Sequence, residues 1–310
     1  MKVLLTGSTG YIGRRLKLKL LEDKNISLRL YVRNKKSVVT NDNQLEIFEG
    51  DSFDAEALEK ALTGIDTAFY MIHSLNRKDY KNLDKISAQN FIDIASKCKV
   101  KRVIYLGGLG VENENTSEHL LSRLETGRIL SSNPNVQTIW IRAGVIIGSG
   151  STSFEIIRNL TEKLPIMTTP KWVETKAQPI AVGDVLNYLY EAIYLDKKEN
   201  LIVDIGAEQL TYKQMMLKTA EALGLKRYII PLPFLSITLS SYWLNLFTPV
   251  RFGVAKALIE GLKSEVIQIM RSRRGLKPDE INTFFISVIS GLQDAIDNII
   301  GTLNMIGWII

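Results

Sequence analysis

The chain has 310 residues, of which 45% are hydrophobic and 23% are charged, a composition typical of globular proteins. Its 39 basic and 33 acidic residues leave a net charge of +6. The surplus is spread along the sequence, so we expect no nucleic-acid partner. The single cysteine, Cys98, excludes an intrachain disulfide and favours a reducing, cytoplasmic location.

Strand and helix patterns alternate through the first half of the chain. Apolar runs typical of buried strands read KVLLTG, SLRLYVR, LEIFEGD, DTAFYMIHS, RVIYLGG and VQTIWIRAGVIIG. The amphipathic segments that alternate with them begin at YIGRRL, DAEALE, DYKNLD and SEHLLS. This order predicts an α/β fold, with a doubly wound parallel sheet and helices on both of its faces.

The second half of the chain is less regular. SFEIIRNLTEKLPIM predicts a helix outside the alternation, QPIAVGDVLNYLYEAIY a short strand and a helix, and NLIVDIG a further strand. We assign residues 1–150 and about 176–210 to the sheet domain. Residues of about 151–175 and 211–283 are expected to form a smaller, mostly helical lobe. The last segment, 284–310, reads as a helix and apolar tail whose docking the sequence leaves open.

One apolar stretch is long enough to cross a bilayer. Residues 229–250 read IIPLPFLSITLSSYWLNLFTPV, but prolines open and close the segment and hydroxyl side chains interrupt it. We therefore expect no spanning helix. Contact with a membrane surface through the apolar segments stays an alternative.

Three glycines, Gly7, Gly10 and Gly13, follow the first strand at a spacing of three. In this position the first glycine permits a tight turn, the second lets a pyrophosphate approach the backbone, and the third allows close packing of the helix. The amino end of that helix would face the phosphates. The sequence thus predicts a dinucleotide site, whose further contacts in the loop are Ser8, Thr9, Tyr11 and Ile12.

The end of the second strand bears on which dinucleotide binds. An acidic residue there would bind the adenosine ribose, but this strand ends YVRNKKS. Arg33 suits a 2′-phosphate, so we expect NADP(H) rather than NAD, with NAD kept as an alternative. Other contacts are expected at the ends of later strands: Asp51, Ser52, Met71, Ile72 and His73.

Together, TGSTGYIG, GDSFD, YMIHSL, VIYLGGLG and SEHLLSRLETGRIL resemble the atypical short-chain dehydrogenase/reductase group. The branch that these motifs resemble most is the NmrA-like, NAD(P)H-binding proteins. RAGVIIGSGSTSFE, QPIAVGDV and LIEGLKSEV extend the resemblance to about residue 266. It implies an extended Rossmann fold with a small C-terminal substrate lobe.

The resemblance also defines what is missing. Reductases of this superfamily carry a Tyr-x-x-x-Lys pair on the helix after the fifth strand and a serine at the end of that strand. This chain has His119 and Arg123 on the helix, and Gly107 and Gly108 at the strand end. His119 is a candidate proton donor. Arg123, four residues on and on the same helical face, is a candidate catalytic residue and cofactor contact, and Gly107 is a further candidate cofactor contact. His73 is the third candidate catalytic residue, and we expect the two histidines to flank the substrate.

The remaining candidates are predicted substrate contacts, Ser74, Arg142 and Gln178. No cluster of His, Cys, Asp and Glu has metal-ligand spacing. The function that we expect is an NADP(H)-dependent reductase or isomerase of a small apolar carbonyl or quinone compound of unknown identity. The alternative is a non-catalytic NADP(H) sensor, regulator or assembly factor, because the usual triad is absent. Monomer and homodimer both stay open.

Overall fold

The computed structural model describes residues 1–38, 45–74, 79–110, 112 and 116–231. Most of the apolar stretch 229–250 and all of the tail 284–310 lie outside these residues. The main-sheet strands are β1 (Lys2–Thr6), β2 (Ser27–Val32), β3 (Glu46–Glu49), β4 (Thr67–Tyr70), β5 (Arg102–Gly108) and β6 (Gln137–Ala143). The helices are α1 (Tyr11–Leu21), α2 (Ala55–Leu62), α3 (Tyr80–Lys97), α4 (Glu118–Leu130), α5 (Thr152–Lys163), α6 (Val182–Tyr194) and α7 (Tyr212–Ala222). The remaining strands are β7 (Val145–Ile147), β8 (Ile166–Thr169), β9 (Lys176–Ala177), β10 (Pro179–Ala181), β11 (Leu201–Ile205), β12 (Leu210–Thr211) and β13 (Tyr228–Pro231).

A seven-stranded sheet in the order β11-β6-β5-β4-β1-β2-β3 forms the centre of the fold. The pairs β1–β2, β1–β4, β2–β3 and β4–β5 are parallel. The predicted α/β fold with a doubly wound sheet is therefore confirmed. The strand order reverses between β1 and β4, and ligands of open α/β sheets bind beyond the carboxyl ends of the strands at such a point.

The central strands are buried because helices cover both faces of a sheet of this type. Val3, Leu4 and Leu5 of β1 have no exposed surface, which accounts for the unbroken apolar run. The helices show the complementary pattern of one buried face. In α1 this face is formed by Gly13, Leu16 and Leu20. In α3 it is formed by Asp84, Ser87, Ala88, Phe91, Ile92, Ile94 and Ala95.

The sixth predicted strand is in fact two strands, which corrects the sequence-based expectation. β6 ends in the main sheet at Ala143, and β7 pairs instead with β10, in parallel. Gly144 separates them: its N–H donates to the carbonyl of Ile205 at 3.1 Å, and a Cβ there would collide with the carbonyl oxygen of Gln178. The glycine thus permits a close backbone approach where the chain changes partners.

The chain divides into two compact units. The first comprises Met1–Gly108, Leu121–Arg142 and Leu186–Val203, and the second comprises Leu109–Leu120, Ala143–Val185 and the residues from Asp204 onward. The second unit contains the short pairs β7–β10, β8–β13 and β9–β12. Its apolar core is built from Ile156, Ile157, Leu160, Met167, Val173, Ala177, Leu210, Tyr212, Met215 and Met216. Within the described ranges, no helix has both the length and the hydropathy needed to cross a membrane.

Candidate functional site

The glycine turn after β1 is tightly packed at two of its three glycines. Gly7 has a φ of +63°, which L side chains rarely adopt. A Cβ on Gly7 would lie less than 3.0 Å from the carbonyl oxygen of Met71, and a Cβ on Gly13 less than 3.0 Å from that of Gly7. A Cβ on Gly10 would meet only the Gly7 carbonyl oxygen, at 3.2 Å, and Gly10 is exposed. The outer glycines are therefore required by packing, and the middle one leaves the backbone open to a ligand.

The start of α1 suits a phosphate group. The helix begins at Tyr11, directly after Gly10, and its first turn contains no acidic residue, so the positive end of the helix dipole is not neutralised there. Ser8 is only 3% exposed, and its Oγ has no hydrogen-bond partner among the described residues. A phosphate oxygen would satisfy such a buried hydroxyl. Thr9 is exposed and Ile12 is half-buried in the same turn, so the residues present fit a pyrophosphate.

The basic turn after β2 is exposed, from Arg33 to Ser37. The Asn34 side chain accepts a hydrogen bond from the Lys36 N–H at 2.9 Å, which fixes the turn locally. The N–H of Lys35 donates to Glu49 Oε2 at 2.7 Å. Glu49 at the end of β3 is an acidic group beside this turn that the sequence reasoning missed, because only the pairing of β2 with β3 brings it there.

Asp51 and Ser52 follow β3 as predicted. The carboxylate of Asp51 accepts hydrogen bonds from the Phe53 N–H at 3.2 Å and from Ser52 Oγ at 3.3 Å. The hydroxyl of Tyr31 in β2 donates to the Asp51 carbonyl at 2.7 Å. Burial, with the nearby charges of the Asp54 and Asp51 carboxylates, raises the pKa of Tyr31, so the phenol remains a donor and holds this loop against β2.

β4 ends at Tyr70, earlier than the predicted strand. The N–H of Met71 donates to Thr6 Oγ1 at 2.9 Å, and that hydroxyl donates to the carbonyl of Phe69 at 2.9 Å. The Thr6 side chain of β1 thus accepts the Met71 N–H in place of a backbone carbonyl of the neighbouring strand. Met71 and Ile72 are half-buried, and Met71 lies against the glycine turn. The ends of β1 and β4 therefore form one continuous edge.

Beyond this edge, His73 forms a hydrogen-bonded pair with a residue that the sequence reasoning missed. Nδ1 of His73 lies 2.7 Å from Oδ2 of Asp84, near the start of α3. The N–H of Ser74 donates to Oδ1 of Asp84 at 2.8 Å, and Ser122 Oγ in α4 donates to Oδ2 at 3.2 Å. Asp84 is 3% exposed. A signal existed, because helical periodicity puts Asp84 on the buried face of α3, and a buried carboxylate needs donors.

Burial and neighbouring groups shift the pKa values of both members of this pair. Burial lowers the pKa of His73, as does the positive charge of Arg123, while the hydrogen bond to Asp84 and its charge oppose both. Burial alone would raise the pKa of Asp84, but the hydrogen bonds from His73 and Ser74, together with the charge of His73, outweigh it and hold that pKa below its usual range. Since an ionised carboxylate only accepts, Nδ1 of His73 carries the proton and Nε2 is the basic nitrogen.

Arg123 joins α4 to the end of β5. Its guanidinium donates to the carbonyl of Leu106 at 3.3 Å, and the Tyr105 hydroxyl donates to the Arg123 carbonyl at 3.1 Å. Burial raises the pKa of Tyr105 to about 12, although the charge of Arg123 acts in the opposite direction. The catalytic and cofactor-binding roles of Arg123 stay predictions.

Position 107 at the end of β5 has no room for a serine of the kind that typical reductases carry. A Cβ on Gly107 would lie 2.5 Å from Nε1 of Trp140 and 3.2 Å from a ring carbon of Tyr105. The indole is also packed against Gly127. Gly107 and Gly108 are the last two residues of the strand. The absence of a hydroxyl at 107 therefore has a steric cause, the indole ring of the neighbouring strand.

The other predicted residues belong to different compact units of the chain. His119 is half-buried in the first turn of α4 and falls in the second compact unit, whereas His73 falls in the first. The Arg142 guanidinium lies 5.7 Å from the Trp140 ring centroid. The Gln178 amide donates to the Ala207 carbonyl at 3.1 Å. The roles predicted for these residues, including joint action of the two histidines, stay predictions. In the described part of the chain, no three or more His, Cys, Asp or Glu are grouped so that they could hold a metal ion.

The structure combines a glycine turn packed between β1 and β4, an uncapped helix start and the strand order of the Rossmann fold, which is typical of dinucleotide-binding proteins. A family model described as NAD(P)H-binding matches residues 7–135. This stretch is similar to NAD(P)H-binding domains, which agrees with the predicted resemblance to the NAD(P)H-binding short-chain dehydrogenase/reductase group.

Three curated proteins are similar to this chain in sequence. Auxiliary protein GraX of Staphylococcus aureus is 33% identical over 120 residues, which are 36% of this chain and 38% of GraX. An uncharacterized chloroplastic protein of Arabidopsis thaliana is 24% identical over 238 residues, 67% of this chain and 70% of its own. Ceramide reductase of Caulobacter vibrioides is 21% identical over 267 residues, 82% of both chains.

Solved structures confirm the fold. A nucleoside-diphosphate-sugar epimerase from Staphylococcus aureus superimposes with a TM-score of 0.70 and 17% identity, covering 86% of this chain and 92% of its own. The UDP-glucose 4-epimerase of Thermotoga maritima gives a TM-score of 0.60 at 17% identity, covering 86% and 97%. At these identities the likeness establishes the Rossmann fold and no more.

Proposed function

We propose that the protein is an NADP(H)-dependent reductase that interconverts a small apolar carbonyl compound and its alcohol. One observation carries the proposal. His73, held in a defined tautomer by Asp84, follows the strand whose end packs against the glycine turn. An imidazole of this kind at the cofactor edge of the sheet is suited to proton exchange.

The nicotinamide cofactor, when bound, supplies or accepts a hydride. The residues of the chain have two other tasks. The glycine turn and Ser8 bind the diphosphate, and His73 Nε2 gives a proton to the carbonyl oxygen in reduction or takes it from the hydroxyl in oxidation. Because the pKa of His73 is lowered, the neutral ring that supports oxidation dominates at neutral pH. We expect carbonyl reduction to slow as the pH rises.

The preference for NADP(H) is supported by charge. Arg33 and the lysines that follow it are exposed after β2, at the strand end where the adenosine ribose binds in Rossmann folds. Glu49, an acidic group beside this turn, accepts the Lys35 N–H, so one of its oxygens is engaged with the backbone. A guanidinium at this position suits a 2′-phosphate.

The substrate class is supported by one relative. Ceramide reductase aligns with this chain over 82% of both sequences, and a ceramide is an apolar lipid. At 21% identity this supports an apolar carbonyl compound or quinone without defining it.

A second function is favoured by one observation, the exclusion of a serine at position 107 by Trp140. Without the usual triad, the protein would bind NADP(H) without turning it over and act as an auxiliary protein. The similarity to Auxiliary protein GraX also supports this second function.

Turnover separates the two functions. Purified protein is mixed with NADPH and a panel of aliphatic aldehydes, ketones and quinones, and consumption is followed at the nicotinamide absorbance band. We expect turnover with some apolar member of the panel and a loss of about 100-fold in His73→Gln, with NADPH affinity retained. His119→Gln is the matched variant, since it tests the other histidine. Tight NADPH binding with no consumption in any mixture would favour the auxiliary function.

A further inference from the structure

The carboxylate of Asp84 is fully engaged inside the protein. Oδ1 accepts from the Ser74 N–H, and Oδ2 accepts from His73 Nδ1 and Ser122 Oγ, at 2.8, 2.7 and 3.2 Å respectively. The donors come from the segment after β4 and from α4, while Asp84 itself belongs to α3. All four residues lie in the first compact unit.

The two oxygens of this carboxylate have different partners. Oδ1 accepts the backbone N–H of Ser74 and so links α3 to the segment after β4. This hydrogen bond alone would be enough to hold the two elements together. Oδ2 is directed at an imidazole whose side chain keeps 21% of its surface exposed. A hydroxyl from α4 fixes the same oxygen. Three donors keep the buried carboxylate ionised, and an ionised carboxylate determines which ring nitrogen of His73 carries the proton.

We propose that Asp84 is a positioning residue, which holds His73 in the Nδ1–H tautomer so that Nε2 exchanges the proton with the substrate oxygen. Ser122 supports it by fixing Oδ2. The catalytic part of this inference rests on the proposed function, whereas the tautomer is a property of the free protein.

In reduction, a bound nicotinamide would supply a hydride, and with it two electrons, to the carbonyl carbon. The C=O π pair would move to the oxygen, which takes the proton from Nε2–H of the His73 imidazolium. The alcohol and the oxidised nicotinamide would leave, and neutral His73 would regain its proton from water. Asp84 stays ionised throughout. In the described part of the chain, the charged groups found to act on His73 include Asp84 from α3 and Arg123 from α4.

Asp84→Asn tests the proposal directly because the hydrogen-bond partners determine the orientation of the asparagine amide. The Ser74 N–H requires an acceptor, so the amide oxygen remains at the Oδ1 position. The NH₂ group then faces Nδ1 of His73, which has to become an acceptor, and the ring proton moves to Nε2. Asp93→Asn is the control, because Asp93 is an exposed acid of the same helix.

The tautomer can be read directly by ¹⁵N NMR. The chain contains only two histidines, so tag-free protein labelled at histidine gives two ring systems, and His119→Gln assigns them. We expect a protonated Nδ1 and a basic Nε2 for His73 in the wild type and in Asp93→Asn, and the reverse in Asp84→Asn. Turnover should fall about 100-fold in Asp84→Asn, with the KM for NADPH unchanged.

Failure of this inference is distinguishable from failure of the proposed function. A wild-type His73 protonated at Nε2, or averaged between tautomers, would overturn the positioning role even in an active enzyme. Absence of turnover in the wild type would reject the reductase, and the NMR result would still decide whether Asp84 sets the tautomer. If Asp84→Asn does not fold, the wild-type spectrum and the Ser122→Ala variant provide the test. In Ser122→Ala we expect the Nδ1–H tautomer to persist, with faster exchange of the Nδ1 proton with water. An unchanged exchange rate would contradict the supporting role of Ser122.

Discussion

The carbonyl oxygen of Met71 occupies the space that a side chain on Gly7 would need. This contact joins the turn after β1 to the end of β4, at the point where the strand order of the sheet reverses. The glycine turn, which binds the diphosphate in the proposed site, is therefore packed directly against the segment that carries His73.

The three glycines should respond differently to alanine. Gly7→Ala and Gly13→Ala should destabilise the fold by about 1–3 kcal/mol or more, because the added methyl meets backbone that cannot move aside. Gly10→Ala should unfold at nearly the wild-type urea concentration and yet lose NADPH binding. Urea denaturation followed by circular dichroism measures the first effect. Gly183→Ala, where nothing lies within 4 Å of the added atom, is the control, and equal destabilisation by all three loop variants would contradict the packing described here.

Ser8→Ala should separate stability from cofactor binding. Its hydroxyl is buried without a partner in the described residues, so its removal should leave the unfolding free energy of the cofactor-free protein unchanged or slightly higher. NADPH affinity should fall by about 10-fold, as for the loss of one hydrogen bond to a charged group. Thermal unfolding with and without NADPH measures both, and a destabilised cofactor-free protein would show that the hydroxyl serves the fold.

Arg33→Ala should change the choice of cofactor. The loss of a charge-assisted hydrogen bond to a 2′-phosphate predicts a decrease of about 10-fold or more in NADPH affinity, with little change for NADH. Lys198→Ala, which removes an exposed cation after α6, controls for net charge. Equal losses for the two nucleotides would contradict the assignment of Arg33 to the 2′-phosphate.

The His73–Asp84 pair should make the protein less stable in acid, in two steps. The pKa of His73 in the folded protein lies below its ordinary 6.5. Its contribution to the free energy of unfolding is therefore complete above pH 6.5, and it is lost as the pH falls from 6.5 through the pKa of the folded protein. The contribution of Asp84, whose pKa lies below 3.8, is lost only at lower pH. Urea unfolding at pH values between about 7.5 and 5 should show the first step.

Two variants test the origin of this first step. His73→Gln should flatten the pH dependence of the unfolding free energy in that window. Arg123→Gln should shrink it, because removal of the positive charge lets the pKa of His73 rise toward its ordinary value. An unchanged profile in both would mean that other groups cause the loss.

The sequence predicted those parts of the fold that depend on local signals. The turn from β1 into α1 could be predicted because an apolar run, three glycines and a helix start are contiguous. The split of the sixth strand at Gly144 could not be predicted, because it depends on pairing with β10, which lies far along the chain. β8, β9, β12 and β13 are two to four residues long and have distant partners, so no local periodicity marks them.

The candidate site divides in the same way. His73 was found because it follows a strand, whereas Asp84, Ser122 and Glu49 reach their positions only through packing of α3 and α4 and pairing of β3. Asp84 lies on the buried face of α3, a position that helical periodicity indicates but that does not reveal its partners. Trp140 gives the reason for a glycine at 107, and no sequence pattern links those two positions.

The most direct test is a calorimetric titration of the purified protein with NADPH, run beside Gly10→Ala. The expected result is saturable binding of one nucleotide per chain in the wild type and none in a Gly10→Ala variant that remains folded. Absence of binding of both NADPH and NADH to the wild type, or equal affinity in the variant, would contradict the assignment of the glycine turn as the cofactor site.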